Sequence, residues 1–210
     1  FADTTRNPWN PEEGSSGSSA GSASATAAGL LPFAIGTETW GSIVSPSTRC
    51  GTTGLRPTYG RVTRSGAMAL SWSMDKVGPI CRSAEDCAIV FDAIRGPDPA
   101  DQSLLEAGFH YPGPADPSAL RIGYLQQAFE SEYPGAASDQ ETLHRLRKMG
   151  ARMIPVRLED ELFPVSALSI ILEAEAAAAF DEFTRSNRDT LMVRQHRFAW
   201  PNIFRTARYI

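Results

Sequence analysis

The sequence is poor in the side chains that build metal sites and disulfide frameworks. Only three cysteines occur among 210 residues, Cys50, Cys81 and Cys87, and no two of them have C-x-x-C spacing. An odd number of cysteines without such spacing argues against structural zinc and against a disulfide framework. We therefore expect the three thiols to serve as small buried hydrophobic side chains.

Positive charge and long apolar runs are also scarce. Lysine and arginine number 20 against 24 aspartates and glutamates, so the net charge of -4 at pH 7 argues against a surface that grips phosphates. No run of eighteen apolar residues exists, because the nearest stretch, 170–180, contains Glu173 and Glu175. Nucleic acid is therefore not expected as a direct ligand, and no membrane span is expected.

Lysine and histidine are scarce as well, which limits the choice of a catalytic base. The only lysines are Lys76 and Lys148. The three histidines, His110, His144 and His196, lie in loop or helix-surface contexts. Surface histidines are the simpler interpretation, so the sequence does not favour a serine–histidine dyad.

The remaining composition is that of an ordinary globular protein, with 42% hydrophobic and 21% charged residues. The first residue is Phe1 and the last residues stand within a patterned segment, so we expect an internal fragment of a longer protein. These residues do not determine the cellular compartment of the protein, although they slightly favour the cytoplasm.

Hydrophobic patterning predicts an α/β fold. Ser83 and Asp86 form a capping-box-like helix start, and Gly96 with Pro97 ends that helix. Residues 120–158 have the pattern of a parallel β-α-β unit. The predicted elements are an irregular loop (1–13), an interior helix (18–29), a buried strand (30–37), a helix (83–95), a surface connection (96–116), a strand (120–125), a helix (138–149), a strand (152–158) and a long helix (165–184).

The Gly/Ser-rich segment GSSGSSAG, residues 14–21, has two simple interpretations that fail. A flexible linker is excluded because residues 23–35 become steadily more hydrophobic without a break. The segment also matches G-x-S-x-G, the nucleophile elbow, with Ser19 as the nucleophile. That elbow needs an apolar strand directly before it, and the preceding NPWNPEEG cannot form one. We therefore interpret the segment as a rigid turn.

A second turn, GTETWGSI over residues 36–43, follows the predicted buried strand. Successive backbone N–H groups of a tight glycine turn can converge on one point and stabilise an oxyanion. Ser42 stands at the end of this turn, where its hydroxyl could attack a carbonyl carbon. The alternative roles are a helix N-cap for Ser42 and an ordinary turn serine for Ser18.

The stretch 14–54, continued by LRPTYGRV (55–62) and VGPI (77–80), resembles the amidase signature family of serine hydrolases. LRIGY (120–124) extends the resemblance more weakly. The combination of two serine turns, their spacing and the motif that follows them is specific. The resemblance implies an α/β fold with a twisted mixed β-sheet and helices on both faces, of which this chain supplies only part.

The resemblance also implies a domain organisation. Residues 1–210 would be an internal fragment of a single amidase signature domain. The catalytic core would occupy 14–95 and a connection would occupy 96–119. The β-α-β unit and a helical part would occupy 120–210.

The family uses a Ser–Ser–Lys triad whose two serines lie twenty-four residues apart, which is the separation of Ser18 and Ser42 here. By this resemblance Ser42 is the acylating nucleophile, and Ser18, in a cis peptide bond, relays the proton between Ser42 and the lysine. The backbone N–H groups of Thr39, Trp40 and Gly41 would form the oxyanion hole, with that of Ser42 as a further candidate.

The third member of the triad is not found in the sequence. It must be a lysine that can lose its proton, a role that arginine cannot fill. Lys148 stands at a predicted helix end, and Lys76 falls in a family segment that does not carry catalysis. The resemblance places the base upstream of Phe1, so we expect this segment alone to be inactive.

Three residues depart from the family pattern. Glu38 stands where aspartate is usual, Trp40 replaces a common glycine, and Val44 replaces a frequent arginine. Trp40 keeps its N–H group, but a positive φ would strain it. The loss of a cation at Val44 leads to the hypothesis that neutral or apolar acyl groups are preferred over carboxylated ones.

The expected function is hydrolysis of the C–N bond of a small-molecule amide through a serine acyl-enzyme, with release of a carboxylic acid and ammonia or an amine. The resemblance implies no metal and no organic cofactor, and it leaves a homo-oligomer open. Two alternatives remain. One is the glutaminase (A) subunit of an aminoacyl-tRNA amidotransferase, which passes ammonia to a partner subunit, and the other is a catalytically dead homologue that only binds.

Overall fold

Helices and short strands alternate along the chain, which confirms the α/β class predicted from the sequence. The computed structural model describes residues 4–158 and 164–209. The described strands are β1 (Arg6–Asn7), β2 (Asn10–Gly14), β3 (Ala34–Glu38), β4 (Thr53–Gly54), β5 (Lys76–Cys81), β6 (Arg121–Leu125) and β7 (Arg152–Val156). The described α-helices are α1 (Ala20–Ala27), α2 (Val44–Cys50), α3 (Ala84–Ile94), α4 (Gln126–Glu130), α5 (Ala136–Lys148), α6 (Val165–Ala179), α7 (Asp181–Arg185) and α8 (Trp200–Thr206).

The chain folds as two compact units, one formed by residues up to 109 together with those from 167 onward, and one formed by residues 110–166. In the first unit, β1 pairs with β2, and β5 lies between β3 and β4 in a second antiparallel sheet. In the second unit, β6 and β7 pair in parallel across α4 and α5, which confirms the predicted β-α-β unit. The finer division of the chain into core, connection and helical part stays a prediction.

The irregular loop predicted for residues 1–13 is wrong where the structure describes it, and residues 1–3 lie outside the described residues. Here β1 and β2 form a hairpin. The hairpin is held by tertiary contacts to the end of α2, because Asn7 Nδ2 donates to the Arg49 carbonyl at 2.8 Å and Trp9 Nε1 donates to the Cys50 carbonyl at 2.8 Å. These contacts join residues more than forty positions apart, so local composition does not reveal them.

The strand predicted for residues 30–37 begins later than expected. Leu30, Leu31 and Phe33 precede β3 and keep 76%, 43% and 44% of their surface exposed. Pro32 interrupts this apolar run, and proline is unfavourable within a strand ladder because it has no N–H group. The prediction of one buried strand over the whole run is therefore wrong, and only residues from Ala34 onward join the sheet.

Helix boundaries agree with the sequence at one site and differ at two. Ser83 caps α3 by accepting the amide of Asp86 at 3.0 Å, as predicted. Helix α5 starts before Ser138, which lies inside the helix and does not cap it. The helix predicted for 165–184 is broken at Phe180, whose ring stacks on Phe204 with a centroid separation of 4.5 Å. The break thus coincides with a contact to a residue distant in sequence.

The outer edge of β3 is covered by serine hydroxyl groups instead of another strand. Ser19 Oγ donates to the Thr37 carbonyl and accepts the Thr37 amide, both at 3.2 Å. Ser22 Oγ donates to the Ile35 carbonyl at 2.8 Å. Ile35 is paired with Pro79 of β5, whose carbonyl accepts the Leu55 amide on the side away from β3. The first serine turn and α1 are therefore fixed directly to β3.

Gly36 allows the first serine turn, the start of α2 and strand β5 to pack closely around the middle of β3. A Cβ atom at this position would lie 2.9 Å from Ser19 Oγ and 3.0 Å from both Ile43 Cγ1 and Ile80 Cδ1. Ile43 and Ile80 are fully buried members of the core of the first unit, so neither can move aside freely. The close approach of the first serine turn to the residue after Ser42 therefore requires glycine here.

Glu38, the last residue of β3, is buried and closes the second serine turn. Its Oε2 atom accepts the amide of Ile43 at 2.7 Å and the amide of Val44 at 2.8 Å. These amides belong to the start of α2, where no intrahelical acceptor is available. Arg56 lies 3.4 Å from the other carboxylate oxygen and supplies a counter-charge. The carboxylate thus ties the end of β3 to the start of α2 and fixes the four residues between them.

Replacement of Gly36 by alanine should lower the free energy of unfolding of the full protein by about 2 kcal/mol, because the added methyl group would overpack the core beside Ser19. Gly21→Ala is the matched control, since a Cβ atom there meets nothing within 4 Å and α1 would gain a better helix former. Denaturant titration of both variants measures the difference. Equal effects of the two substitutions would contradict the packing argument.

Replacement of Glu38 by alanine should cost about 3 kcal/mol, because two buried amides lose their acceptor and Arg56 loses its partner. Glu38→Gln keeps an acceptor oxygen and should cost about 1 kcal/mol. Glu13→Ala serves as a control, since Glu13 forms a half-exposed ion pair with Arg49 whose loss should cost less than about 1 kcal/mol. Denaturant unfolding that ranks the alanine variants in the reverse order would contradict this role of Glu38.

Candidate active site

The two serine turns predicted from the sequence lie against each other. The Ser19 amide donates to the Ser42 carbonyl at 3.1 Å, and the Ser16 and Ser45 hydroxyl groups lie 2.7 Å apart. The peptide bond between Gly17 and Ser18 is cis, as the family resemblance implied. The two turns are thus joined by one backbone and one side-chain hydrogen bond between residues 23 and 29 positions apart in sequence.

The hydroxyl groups of Ser18 and Ser42 differ from the others in these turns. Within residues 4–158 and 164–209, neither hydroxyl takes part in a hydrogen bond with a protein group, whereas Ser16, Ser19 and Ser45 all do. The contacts of Ser19 with Thr37 also explain why the nucleophile-elbow interpretation fails, since that hydroxyl is used to hold β3. Ser18 and Ser42 are the turn serines left available for chemistry.

The backbone amides of the second turn fall into two groups, bonded and free. Those of Ile43 and Val44 are taken by Glu38. In contrast, the amides at positions 39–42 donate to no protein acceptor in the described part of the chain. Consecutive free amides in a fixed turn are the donors that an oxyanion hole needs.

Trp40 adopts this turn without a positive φ. The non-glycine residues with positive φ in the described chain are Ser16 and Asn187. The strain considered for a tryptophan in place of glycine therefore does not arise, and the Trp40 amide is retained. Its side chain points outward, with 45% of its surface exposed.

Asp75 and Lys76, which the sequence did not assign to the site, hold Thr39 at two atoms. Thr39 Oγ1 donates to Asp75 Oδ1 at 2.5 Å, and Lys76 Nζ donates to the Thr39 carbonyl at 3.3 Å. Lys76 also donates to the Met74 carbonyl. The antiparallel register that pairs Glu38 with Lys76 brings these residues to the turn. The motif around residues 74–80 was visible in the sequence, but its contact with residue 39 depends on that register.

A cavity of about 500 Å³ opens beside the turn. Ser18, Thr37, Thr39 and Lys76 lie in its wall, whereas Ser42 does not. The rest of the lining is mostly apolar and includes the side chains of Met68, Leu70, Trp72, Phe180, Trp200 and Phe204. Its size and lining are those of a small-molecule pocket with a few polar groups at one end.

The cations in this cavity are already engaged by the protein. Arg64 donates to Trp72, Tyr59 and Ser103 and lies 3.6 Å from Asp101. For Lys76, burial lowers the pKa of its amine, and the charge of Arg56 acts in the same direction. The carboxylates of Glu38 and Asp75 partly offset this lowering.

In the described part of the chain, none of the remaining candidates from the sequence lines this cavity. Cys50, Cys81 and Cys87 are free and buried, as predicted, and burial raises the pKa of all three thiols, that of Cys81 to about 12. The three histidines and Lys148 are exposed. In the described residues, no group of three or more His, Cys, Asp and Glu side chains could hold a metal ion.

No helix in the described part of the chain is both long and apolar enough to cross a membrane.

Comparisons with known proteins identify the family of the chain. A family model described as Amidase matches residues 1–205. The chain is 41% identical over 191 residues to the A subunit of glutamyl-tRNA(Gln) amidotransferase from Roseiflexus castenholzii, a match that covers 85% of this chain and 38% of the relative. It is 38% identical over 179 residues to the same subunit of Thermus thermophilus, which covers 83% of this chain and 38% of the relative.

Two solved structures are also similar. The native peptide amidase of Stenotrophomonas maltophilia has a TM-score of 0.72 and 38% identity over 88% of this chain and 39% of that one. The A subunit of glutamyl-tRNA(Gln) amidotransferase from Thermotoga maritima has a TM-score of 0.78 and 32% identity over 90% of this chain and 43% of that one. The chain thus spans about two fifths of the length of these relatives. Because the family model matches nearly the whole sequence, the chain belongs to the amidase family.

Proposed function

We propose that the protein hydrolyses a carboxamide C–N bond through an acyl-enzyme formed on Ser42. The observation that carries the proposal is the turn between Glu38 and Ile43, which presents Ser42 beside free backbone amides and is bonded to the turn that contains Ser18. Family membership supports the reaction class. The roles assigned to Ser18, Ser42, Thr39, Trp40 and Gly41 are part of the proposal.

In the proposed reaction the Ser42 oxygen attacks the carbonyl carbon of the amide. Its proton passes to Ser18 while the Ser18 proton passes to a neutral lysine, the base expected upstream of this segment. The amides of Thr39, Trp40 and Gly41 stabilise the negative charge that develops on the carbonyl oxygen. The C–N bond then breaks as the proton returns through Ser18 to the leaving nitrogen. Water attacks the acyl ester along the same relay, which releases the acid and restores Ser42.

The apolar cavity supports a preference for neutral, apolar acyl groups. Val44, the residue that first suggested this preference, does not line the cavity, so the argument rests on the lining itself. Arg64 already donates to protein acceptors and lies beside Asp101, and a substrate carboxylate placed among the apolar side chains would lose hydration. This preference makes a simple amidase our first choice of function.

A glutaminase subunit of an aminoacyl-tRNA amidotransferase is the second candidate, because curated relatives at 38–41% identity bear that description. The two functions differ in their requirements. A glutaminase subunit would release ammonia from glutamine, and the release would depend on tRNA and a partner subunit. The catalytically dead homologue would release none from any amide. Inactivity of the isolated segment and a homo-oligomeric state also stay predictions.

A fluorophosphonate probe should label the full protein at Ser42, because an activated serine hydroxyl attacks phosphorus as it attacks a carbonyl. Labelling should vanish in Ser42→Ala and persist in Ser45→Ala, the control that removes a neighbouring hydroxyl three residues away. Ser18→Ala should slow labelling by about 10²-fold or more, since the proton relay is lost. Gel fluorescence and mass spectrometry measure these rates. Labelling that survives in Ser42→Ala would show that another residue is the nucleophile.

Hexanamide should be hydrolysed with at least about tenfold higher kcat/KM than adipamic acid, which has the same number of carbons but ends in a carboxylate that would lose hydration among mostly apolar side chains. Ammonia release by the full protein measures both rates, with glutamine as a third substrate. Faster hydrolysis of adipamic acid would disprove the preference for neutral groups. Glutamine hydrolysis that requires tRNA and a partner subunit would instead favour the second candidate.

A further inference from the structure

We propose that Lys76 is a positioning residue for the second serine turn, whose amides at positions 39–42 are the candidate oxyanion donors. Lys76 acts together with Asp75 through Thr39. The inference rests on the proposed function, in which the amides after Glu38 bind the oxyanion. Neither Lys76 nor Asp75 needs to touch the reacting atoms. Lys76 acts on the main chain that carries the donors, and Asp75 acts on the side chain of Thr39.

Thr39 is held from two sides by neighbouring residues at the start of β5. Its hydroxyl donates to Asp75 Oδ1 at 2.5 Å, and its carbonyl accepts from Lys76 Nζ at 3.3 Å. The pairing of Glu38 with Lys76 in the β3–β5 ladder fixes the distance between the two strands at this point. With one side-chain anchor and one main-chain anchor, Thr39 has little freedom to rotate.

The main-chain anchor sets the direction of a candidate oxyanion donor. The peptide bond between Thr39 and Trp40 is trans, since the cis bond in the described chain is that between Gly17 and Ser18. In a planar trans peptide the N–H group points opposite to the C=O group. By holding the Thr39 carbonyl, Lys76 therefore aims the Trp40 amide away from itself.

Asp75 is itself firmly held, so it can serve as a fixed anchor. Its second oxygen, Oδ2, accepts the amides of Leu70 and Ser71 at 2.8 and 3.0 Å. Ser71 in turn donates to Glu175 of α6. The network that fixes Thr39 thus extends from the turn through Asp75 to a helix of the same unit.

The charge on Lys76 strengthens this arrangement. A charge-assisted hydrogen bond is stronger than a neutral one, and polarisation of the Thr39 carbonyl makes the N–H group of the same peptide a better donor. The charged groups that face the ammonium are Arg56, Arg64, Glu38 and Asp75. At alkaline pH arginines stay charged and carboxylates stay ionised, so among these groups Lys76 is the one that loses its charge. Because burial lowers the pKa of Lys76, this loss begins at lower pH than for a solvated lysine.

The experiment compares Lys76→Met, Lys76→Arg and Lys148→Met in the full protein. Lys148→Met is the matched control, because it removes the same charge from an exposed position at the end of α5. Lys76→Met should lower kcat for hexanamide about 10–100-fold and change KM less than about threefold, since the donor is misaimed in the transition state. Lys76→Arg should keep kcat within about fivefold at neutral pH, and its alkaline loss of kcat should move to higher pH.

A second readout does not require activity. Hydrogen exchange at the Ile43 and Val44 amides, which Glu38 protects, should accelerate in Lys76→Met and stay unchanged in Lys148→Met. Faster exchange at these sites supports the positioning role even if no amide is hydrolysed, in which case the proposed function fails alone. Unchanged exchange, native kcat in Lys76→Met, an effect on KM only, or an alkaline limb that Lys76→Arg leaves in place would overturn the inference.

Discussion

The hydrogen bonds from the first amides of α2 to the buried carboxylate of Glu38 are the contacts on which the candidate site depends. Burial of a carboxylate is costly, and here two backbone donors and the charge of Arg56 offset the cost. The carboxylate takes up the amides of Ile43 and Val44, whereas the amides at positions 39–42 donate to no acceptor within the described residues. Donors that are fixed before substrate arrives need no reorganisation during the reaction.

Serines of the first turn and of α1 also form hydrogen bonds with the backbone of β3. Ser19 and Ser22 satisfy backbone groups on the outer edge of β3, where a neighbouring strand would otherwise be needed. Gly36 lets the turn approach closely enough for this bonding. The composition that resembles a flexible linker therefore builds a rigid contact, because hydroxyl groups on short side chains reach a strand that bulkier residues would hold away.

The sequence was informative at several places where structure depends on neighbours in the chain, although it misplaced the Ser138 cap and the start of β3. The α3 cap at Ser83, the β-α-β unit and both serine turns follow from local spacing, and the turns were found because the whole motif is contiguous. Contacts between distant residues were not predictable. The helix break at Phe180 coincides with its stacking on the distant Phe204, and Lys76 reaches Thr39 through strand register. An isolated lysine in a loop-like motif gives no sign of such a partner.

Pro79 affects the position of Lys76, three residues before it in β5, through the register of the strand. An antiparallel ladder alternates between positions that face a neighbouring strand and positions that face away from it. Pro79 stands opposite Ile35, whose carbonyl is bonded on the far side by Ser22, so the missing N–H costs this strand pair nothing. Displacement of β5 by a single residue would turn the imino nitrogen towards β3 and leave a carbonyl there without a donor. Pro79 therefore favours the observed register of β5 against β3, and this register places the ammonium group of Lys76 opposite the second serine turn.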